Sequence, residues 1–380
     1  MSRIDPPIRV AVVTGTRAEF GLLTPIIDTI QNEPNLRLHL IITGTHLLPN
    51  SDSFETIRNQ FPITETVVMQ LADKLPGRAS DVQSLARGIA GLGAAFTKHN
   101  PHVVLVLGDR IEALAAALAA SIGGTLLAHI HGGDRAQGVA DEAMRHAITK
   151  LAHIHFPATP QSAQRIKQMG EDPEWVHVVG SPAIDDLSQI PTASDTDLQK
   201  LNLNPHLPFA VILHHPTGFD DQQEYQAMMA ILNAVENHPQ LPQNIIMAPN
   251  YDPGRSGILR AIGDRPKINN LPRPSWIAIL KRASHIIGNS SAGLIESAAL
   301  GIPCVNIGPR QAGRERAENV IDLESTIPSP ESIAEAIQSA LNLKPPFNHP
   351  YGAGRASQEI TRILASLTNA APSIRKRNQY

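Results

Sequence analysis

Read from the N-terminus, apolar runs and amphipathic stretches alternate along the chain. The first run, Ile8–Val13, is rich in β-branched residues and stops at Thr14-Gly-Thr-Arg-Ala-Glu-Phe-Gly21, after which Leu22, Leu23, Ile26, Ile27 and Ile30 recur at helical spacing. Strand, glycine-containing turn and helix form the opening unit of a doubly wound α/β domain. The same alternation predicts strands at Leu38–Thr43, Val103–Leu107, Leu126–Ile130, His153–Phe156 and Val176–Val179. Helices are expected over Val82–Phe96, Ile111–Ile122, Asp141–Leu151 and Pro160–Met169. Val103–Leu107 is apolar throughout, which fits a central parallel strand covered on both faces. Six or seven strands alternating with helices make one complete domain, residues 1–188.

Gln189–Pro208 is polar, contains Pro191, Pro205 and Pro208, and reads as a linker. A second series begins with the strand Phe209–Leu213 and continues through the helix Gln223–Val235, the strand Asn244–Ala248 and helices over Gly257–Ile262 and Ser275–Arg282. In Ile286–Ile307 a buried strand runs into Gly288-Asn-Ser-Ser291, a short helix closed by Gly301 and Pro303, and another strand. A helix near Glu331–Leu341 completes a second domain, 189–355, and the last helix, within 356–380, is expected to cross back to the first. The expected fold class is α/β, with two Rossmann-like doubly wound domains facing across a cleft.

Composition agrees. A chain of 380 residues is long for one hydrophobic core, and 42% apolar with 18% charged residues is the balance of a soluble globular protein. A formal net charge of -3 gives no case for nucleic acid or an anionic membrane, and Arg375-Lys-Arg377 reads as a solvated tail. The single cysteine, Cys304, lies in an apolar strand-like run, so a disulfide framework is excluded, a reducing compartment is expected and the thiol reads as packing. Met1–Pro7 has no apolar signal segment and no later run is apolar for the length of a membrane span, so a cytoplasmic protein is expected.

Open α/β sheets place ligands at strand ends, and polar residues gather there. In the second half these are His215, Asn250, Ser290, Ser291, Glu296 and Arg310, a set suited to a nucleotide diphosphate and its ribose. Gly288-Asn-Ser-Ser291 would offer backbone N–H groups and two hydroxyls at a helix N-terminus, a common answer to a phosphate. The alternative is that Ser290 only caps that helix. Arg17, on the first turn, suits phosphate through two parallel bonds. The first half brings Asp109, Asp134, Asp141 and Glu142, carboxylates that divide proton removal from proton delivery when their surroundings separate their pKa values. Asp141 and Glu142 read equally well as favourable charges at a helix N-terminus. His129 with His131, and His153 with His155, are each two apart on a strand; sharing a face, they would hold a metal with Asp134. Core histidines are more often structural, and no metal is expected.

Taken together, Gly15-Thr-Arg-Ala-Glu-Phe-Gly21, Gly44-Thr-His46, Gly108-Asp-Arg110, His129-Ile-His-Gly-Gly133, Arg145-His-Ala-Ile-Thr-Lys150, His215-Pro216, Pro249-Asn250, Gly288-Asn-Ser-Ser291 and Arg310-Gln-Ala-Gly-Arg-Glu315 occur in one order. That ordered set resembles the hydrolysing UDP-N-acetylglucosamine 2-epimerases of sialic-acid and legionaminic-acid biosynthesis, over Val10 to Asn319. The Arg145–Lys150 run separates this branch from the non-hydrolysing epimerases of the same fold. The resemblance implies a two-domain fold of the GT-B type, no cofactor, a UDP-sugar substrate and a homodimer. It also implies two chemical stages: a base takes the C2 proton while UDP leaves C1, giving a 2-acetamidoglycal, and water then adds at C1 as a proton returns to the other face of C2.

By matched position, Asp109, Asp134 and the Asp141/Glu142 pair become acid/base carboxylates, and His46 and His215 functional histidines. Arg17, Asn250, Ser290, Ser291 and Glu296 become nucleotide contacts, with Arg110 and Arg310 counted among the substrate-binding residues. One position departs from the family pattern: after His-Gly-Gly a glutamate is usual, and here Asp134 is one methylene shorter. The alternatives are a non-hydrolysing epimerase or glycosyltransferase of the same fold, or a nucleotide-sugar binding protein that has lost catalysis.

Overall fold

The computed structural model describes residues 5–49, 51, 53–73, 77–136, 141–218, 220–250, 252–269 and 271–379. The chain divides into two compact units, the first taking the residues up to Asp134, Asp141–Asp185 and those from Tyr351 on, the second built on Asp186–Pro350.

In the first unit the strands are β1 (Ile8–Thr14), β2 (Leu36–Thr43), β3 (Ile63–Val67), β4 (Val103–Leu107), β5 (Leu126–Ile130) and β6 (Ile154–Phe156). Between them run α1 (Arg17–Asn32), α2 (Ser53–Gln60), α3 (Arg78–His99), α4 (Ile111–Ile122) and α5 (Asp141–Leu151), with α6 (Pro160–Gln168) following β6. The six strands pair in parallel in the order β3-β2-β1-β4-β5-β6, the doubly wound dinucleotide-fold order. Alternation within β1 shows why both faces are covered. Ile8, Val10 and Val12 join the core under α1, while Ala11 and Val13 join the opposite core under α3 and α4.

The second unit opens with α7 (Asp195–Lys200), then β7 (Phe209–Leu213), α8 (Asp221–Glu236), β8 (Gln243–Ile246), α9 (Arg255–Ile262) and α10 (Arg273–Leu280). It closes with β9 (His285–Gly288), α11 (Glu296–Leu300), β10 (Cys304–Ile307), β11 (Val320–Leu323) and α12 (Pro330–Leu341). All five strands are parallel, in the order β11-β10-β9-β7-β8. Counted from β7 this is the flavodoxin-like order, so each unit has one place where the winding reverses.

The last helix, α13 (Ala356–Ser366), belongs to the first unit. Ile360, Ile363 and Leu364 enter the core of α1, each worth roughly 1.5–3 kcal/mol when fully buried. The Asp185 carboxylate accepts from Ala356 N (2.9 Å) and Ser357 N (2.6 Å), two N–H groups that the helix itself leaves unpaired.

Several expectations need correction. The stretch read as a linker contains α7, started by a capping box between Ser194 and Asp197. Val176–Val179 is no strand: only Val176 bridges β6, although His177 N and Val179 N donate to His155 O and Pro157 O. The edge strands β3 and β11 were not foreseen. In the C-terminal Arg375-Lys-Arg377 the two arginines are exposed as a solvated tail would have them, but Lys376 is not. Lys376 Nζ donates to Lys150 O (2.6 Å) and Ala152 O (2.5 Å) and pairs with the buried Glu171, which also receives Lys150 Nζ (2.6 Å). Burial works against the Glu171 charge, yet His155, Lys150 and Lys376 together hold its carboxyl down at about 2. Among the described residues no helix is long and apolar enough to cross a membrane.

Candidate functional site

In the first unit the winding reverses between β1 and β4, and the strand ends there carry the first-turn residues and Asp109. Thr16 caps α1, its hydroxyl accepting from Glu19 N, and Arg17 stands half-exposed on the first turn. His46 follows β2 and is fully buried, with Nε2 3.1 Å from Thr14 Oγ1 and Nδ1 2.8 Å from Ser53 Oγ. Burial, then the charge of Arg17, lowers its pKa to about 3. His46 is therefore a neutral, fixed hydrogen-bonding group that ties two strand ends together.

Asp109 ends β4 with its side chain 17% exposed and pairs with Arg145 of α5. The other arm of that guanidinium donates to His131 O at 3.1 Å. Arg145 lies in the run that marks the hydrolysing branch, but no local pattern assigns it a task. Its signal was a charged residue one helical turn before Thr149, whose hydroxyl lies 3.2 Å from His129 Nδ1. Arg110 caps α4 beside Asp109, with Nε 3.9 Å from Glu112 Oε2.

Asp134 lies apart from this exposed edge. It is 1% exposed, and its two oxygens are taken by His131 Nδ1 (2.7 Å) and Ser162 Oγ (2.8 Å). Glu142 is half-buried with His146 Nε2 at 3.5 Å, while the Asp141 side chain falls outside the described residues.

His129 and His131 do not share a strand face as the metal reading requires. β5 ends at Ile130, and His131 has left the strand with φ 62°. His129 Nε2–H donates to Gly108 O (2.7 Å), His153 Nε2–H donates to Ile374 O (3.1 Å), and His155 Nε2 meets Glu171 (3.2 Å). Among the described residues no three His, Cys, Asp or Glu side chains converge on a metal position.

In the second unit the winding reverses between β7 and β9, and Asn289 organises that point. Its Oδ1 accepts from His215 N and its Nδ2 donates to His215 O, both at 2.8 Å, so one side chain clamps two strand ends. The clamp needs Gly288, because at φ 145° an added Cβ would sit 2.1 Å from Leu213 O. Asn250 N donates to His215 Nδ1 (3.3 Å), which places the proton of a neutral ring on Nε2. Gln311 Nε2 (3.0 Å) and Arg310 (3.3 Å) donate to Asn289 O, bringing the turn after β10 to the same place. His215, Asn250 and Arg310 thus meet around Asn289, a residue to whose side chain the sequence assigns no role. Its signal was an amide directly after the glycine that ends a buried strand.

Ser290 and Ser291 do not begin the short helix. Ser290 caps a single 3₁₀ turn, its hydroxyl accepting from Ala292 N, and α11 starts only at Glu296. Glu296 is 6% exposed and receives Arg273 (3.2 Å) and Trp276 Nε1 (3.4 Å); burial raises its pKa against both partners. Cys304 packs under Gly293, its thiol pKa raised by burial.

Two Rossmann-like sheets, each with polar residues collected where its winding reverses, define a protein of the GT-B class. The chain belongs to the UDP-N-acetylglucosamine 2-epimerase family, whose model matches residues 28–365. A Legionella pneumophila relative named UDP-N,N'-diacetylbacillosamine 2-epimerase (hydrolyzing) is 34% identical over 98% of this chain and 99% of its own length. A Neisseria meningitidis UDP-N-acetylglucosamine 2-epimerase is 31% identical over 88% of each chain. The crystal structure of Methanocaldococcus jannaschii UDP-GlcNAc 2-epimerase, in complex with UDP-GlcNAc and UDP, has a TM-score of 0.79 at 21% identity, covering 94% of this chain and 99% of that one. The family resemblance read from the ordered motifs is met.

Proposed function

We propose that this chain is a hydrolysing nucleotide-sugar 2-epimerase. It converts UDP-N-acetylglucosamine, or a 4-acetamido-deoxy relative, to the free N-acetylmannosamine-type sugar and UDP. The observation that carries the reading is the Asp109–Arg145 pair: the Arg145–Lys150 run of the hydrolysing branch folds so that its arginine meets the carboxylate at the end of β4. The full-length similarity to a relative named as hydrolysing supports it.

Asp109 takes the proton from C2 of the sugar. The C2–H electrons form the C1–C2 double bond, and the C1–O bond breaks with its pair going to the diphosphate. Water then adds its oxygen to C1 of the 2-acetamidoglycal, and C2 takes a proton on the opposite face, so the overall reaction consumes one water. Arg145 keeps Asp109 oriented through a guanidinium anchored on His131 O. In the second unit, Ser290, Ser291, Asn250 and Arg310 receive the diphosphate, and Glu296, held by Arg273 and Trp276, accepts from the ribose hydroxyls. Asp134, enclosed by His131 and Ser162, sets the His131 loop, and Glu142 is the second carboxylate available for proton return.

The test is product analysis with UDP-N-acetylglucosamine and UDP-N,N'-diacetylbacillosamine offered in parallel. Stoichiometric UDP and a free 2-epimeric sugar from one of them is the expected result. A UDP-linked epimer would assign the non-hydrolysing reaction, and binding of both without turnover would assign a binding protein.

A further inference from the structure

Two buried carboxyl groups have no task in that chemistry. Glu112, on the first turn of α4, is 1% exposed; Oε1 accepts from Gln70 Nε2 (2.6 Å), and Oε2 has no hydrogen-bond partner among the described residues, with Arg110 Nε 3.9 Å away. Glu19, on the first turn of α1, is 6% exposed and accepts from Gly15 N at 3.1 Å. Both groups close on Gly15. A Cβ there would lie 2.3 Å from Glu112 Cγ, and one on Gly44 would lie 2.9 Å from the same atom and 2.4 Å from Gly15 O. Thr45 Oγ1 donates to Gly15 O (3.1 Å), so the Gly15 and Gly44 turns are stitched together directly above the pair.

We propose that Glu112, with Glu19 beside it, is a positioning residue: the two carboxyls form a platform that sets the turns carrying Arg17 and His46 and orients Arg110. This rests on the reading that Arg17 and Arg110 meet the nucleotide sugar. Two glycines leave the room that the Glu112 side chain fills, so the turns cannot settle without it. Burial, and secondarily the Glu112 charge, raises Glu19 to about 8, against Arg110 and the Gly15 and Thr16 N–H groups. The charged groups acting on Glu19 are thus Glu112 and Arg110, both brought by α4 and its cap, while His46 on the adjoining turn is neutral. At neutral pH Glu19 is protonated. As pH rises through about 8 it ionises, and two carboxylates face each other across Gly15. The stability that protonated Glu19 lends is complete below its unfolded-state value of 4.5 and is lost as pH climbs to about 8.

The experiment uses the full-length chain and the substrate it turns over. Glu112→Gln, equal in size, is expected to lower kcat about 10- to 100-fold, the effect of a small misplacement of binding groups. In the same variant the ¹³C-carboxyl titration of Glu19 is expected to move down from about 8 as the Glu112 charge is removed, with an unchanged melting temperature excluding opened packing as the cause. Glu19→Gln mimics the protonated acid, so kcat at pH 7 should stay within about threefold of the parent. It should remove the fall in kcat above about pH 8 and the fall in melting temperature between pH 4.5 and about 8. Unchanged kcat in Glu112→Gln, an unmoved Glu19 titration, or an alkaline limb that persists in Glu19→Gln would each overturn the proposal. A parent protein inactive on every UDP-sugar overturns the functional reading instead.

Discussion

The two units offer polar residues at the same topological place and equip it differently. Where the first sheet reverses its winding, charged groups come in opposed pairs, Asp109 with Arg145 and Glu112 with Arg110, and further in Asp134 is hydrogen-bonded to His131. Where the second reverses, the organising group is the neutral amide of Asn289, which fixes His215 and gathers Gln311 and Arg310 around one carbonyl. The parallel sheet supplies only the location. Side chains decide whether that location suits a carboxylate poised to take a proton or dipoles and cations poised to receive an anion.

The largest expected effect falls on the first unit. Asp109→Asn keeps the shape and removes the proposed base, so kcat should drop about 10³-fold, with UDP affinity by calorimetry within about twofold of the parent. An equal loss of UDP affinity would erase the difference between the units. On the second unit, Asn289→Ala removes both bonds to His215, and UDP should bind about 10-fold more weakly. A fall in kcat with UDP affinity intact would move Asn289 to the chemical side. Smallest for activity is Lys376→Met, a charge pair of the first unit away from the strand ends. It should cost ~2 kcal/mol of stability, read as a lower melting temperature, with kcat at 25 °C unchanged.

The fold was legible wherever strands bury both faces. Val103–Leu107 and Phe209–Leu213 are apolar throughout and lie inside their sheets. The strands missed were the edges: Ile63–Val67 pairs on one side only and exposes most of its residues at least in part, so Thr and Glu interrupt its apolar signal. Val176–Val179 failed in the opposite sense, apolar in sequence yet joined to β6 by one bridge. In the site, Asp109 and the residues around Gly288 could be placed because strand ends are readable from sequence. Their partners could not. Arg145 reaches Asp109 from 36 residues away, and Asn289 reaches His215 from 74 residues away. Lys376 finds Glu171 across 205 residues, and no local pattern tells such a lysine from a solvated one. Asp134 shows the same limit: spacing put a carboxylate near the strand end, and only folding shows both its oxygens already occupied.

The central claim is that a carboxylate of the first unit exchanges the C2 proton while the nucleotide leaves. Incubating the protein with its UDP-sugar in D2O and following the sugars by NMR tests this most directly. The account predicts a free 2-epimeric sugar carrying deuterium at C2, formed with UDP and absent with Asp109→Asn. A free sugar that keeps its original hydrogen at C2 would contradict it.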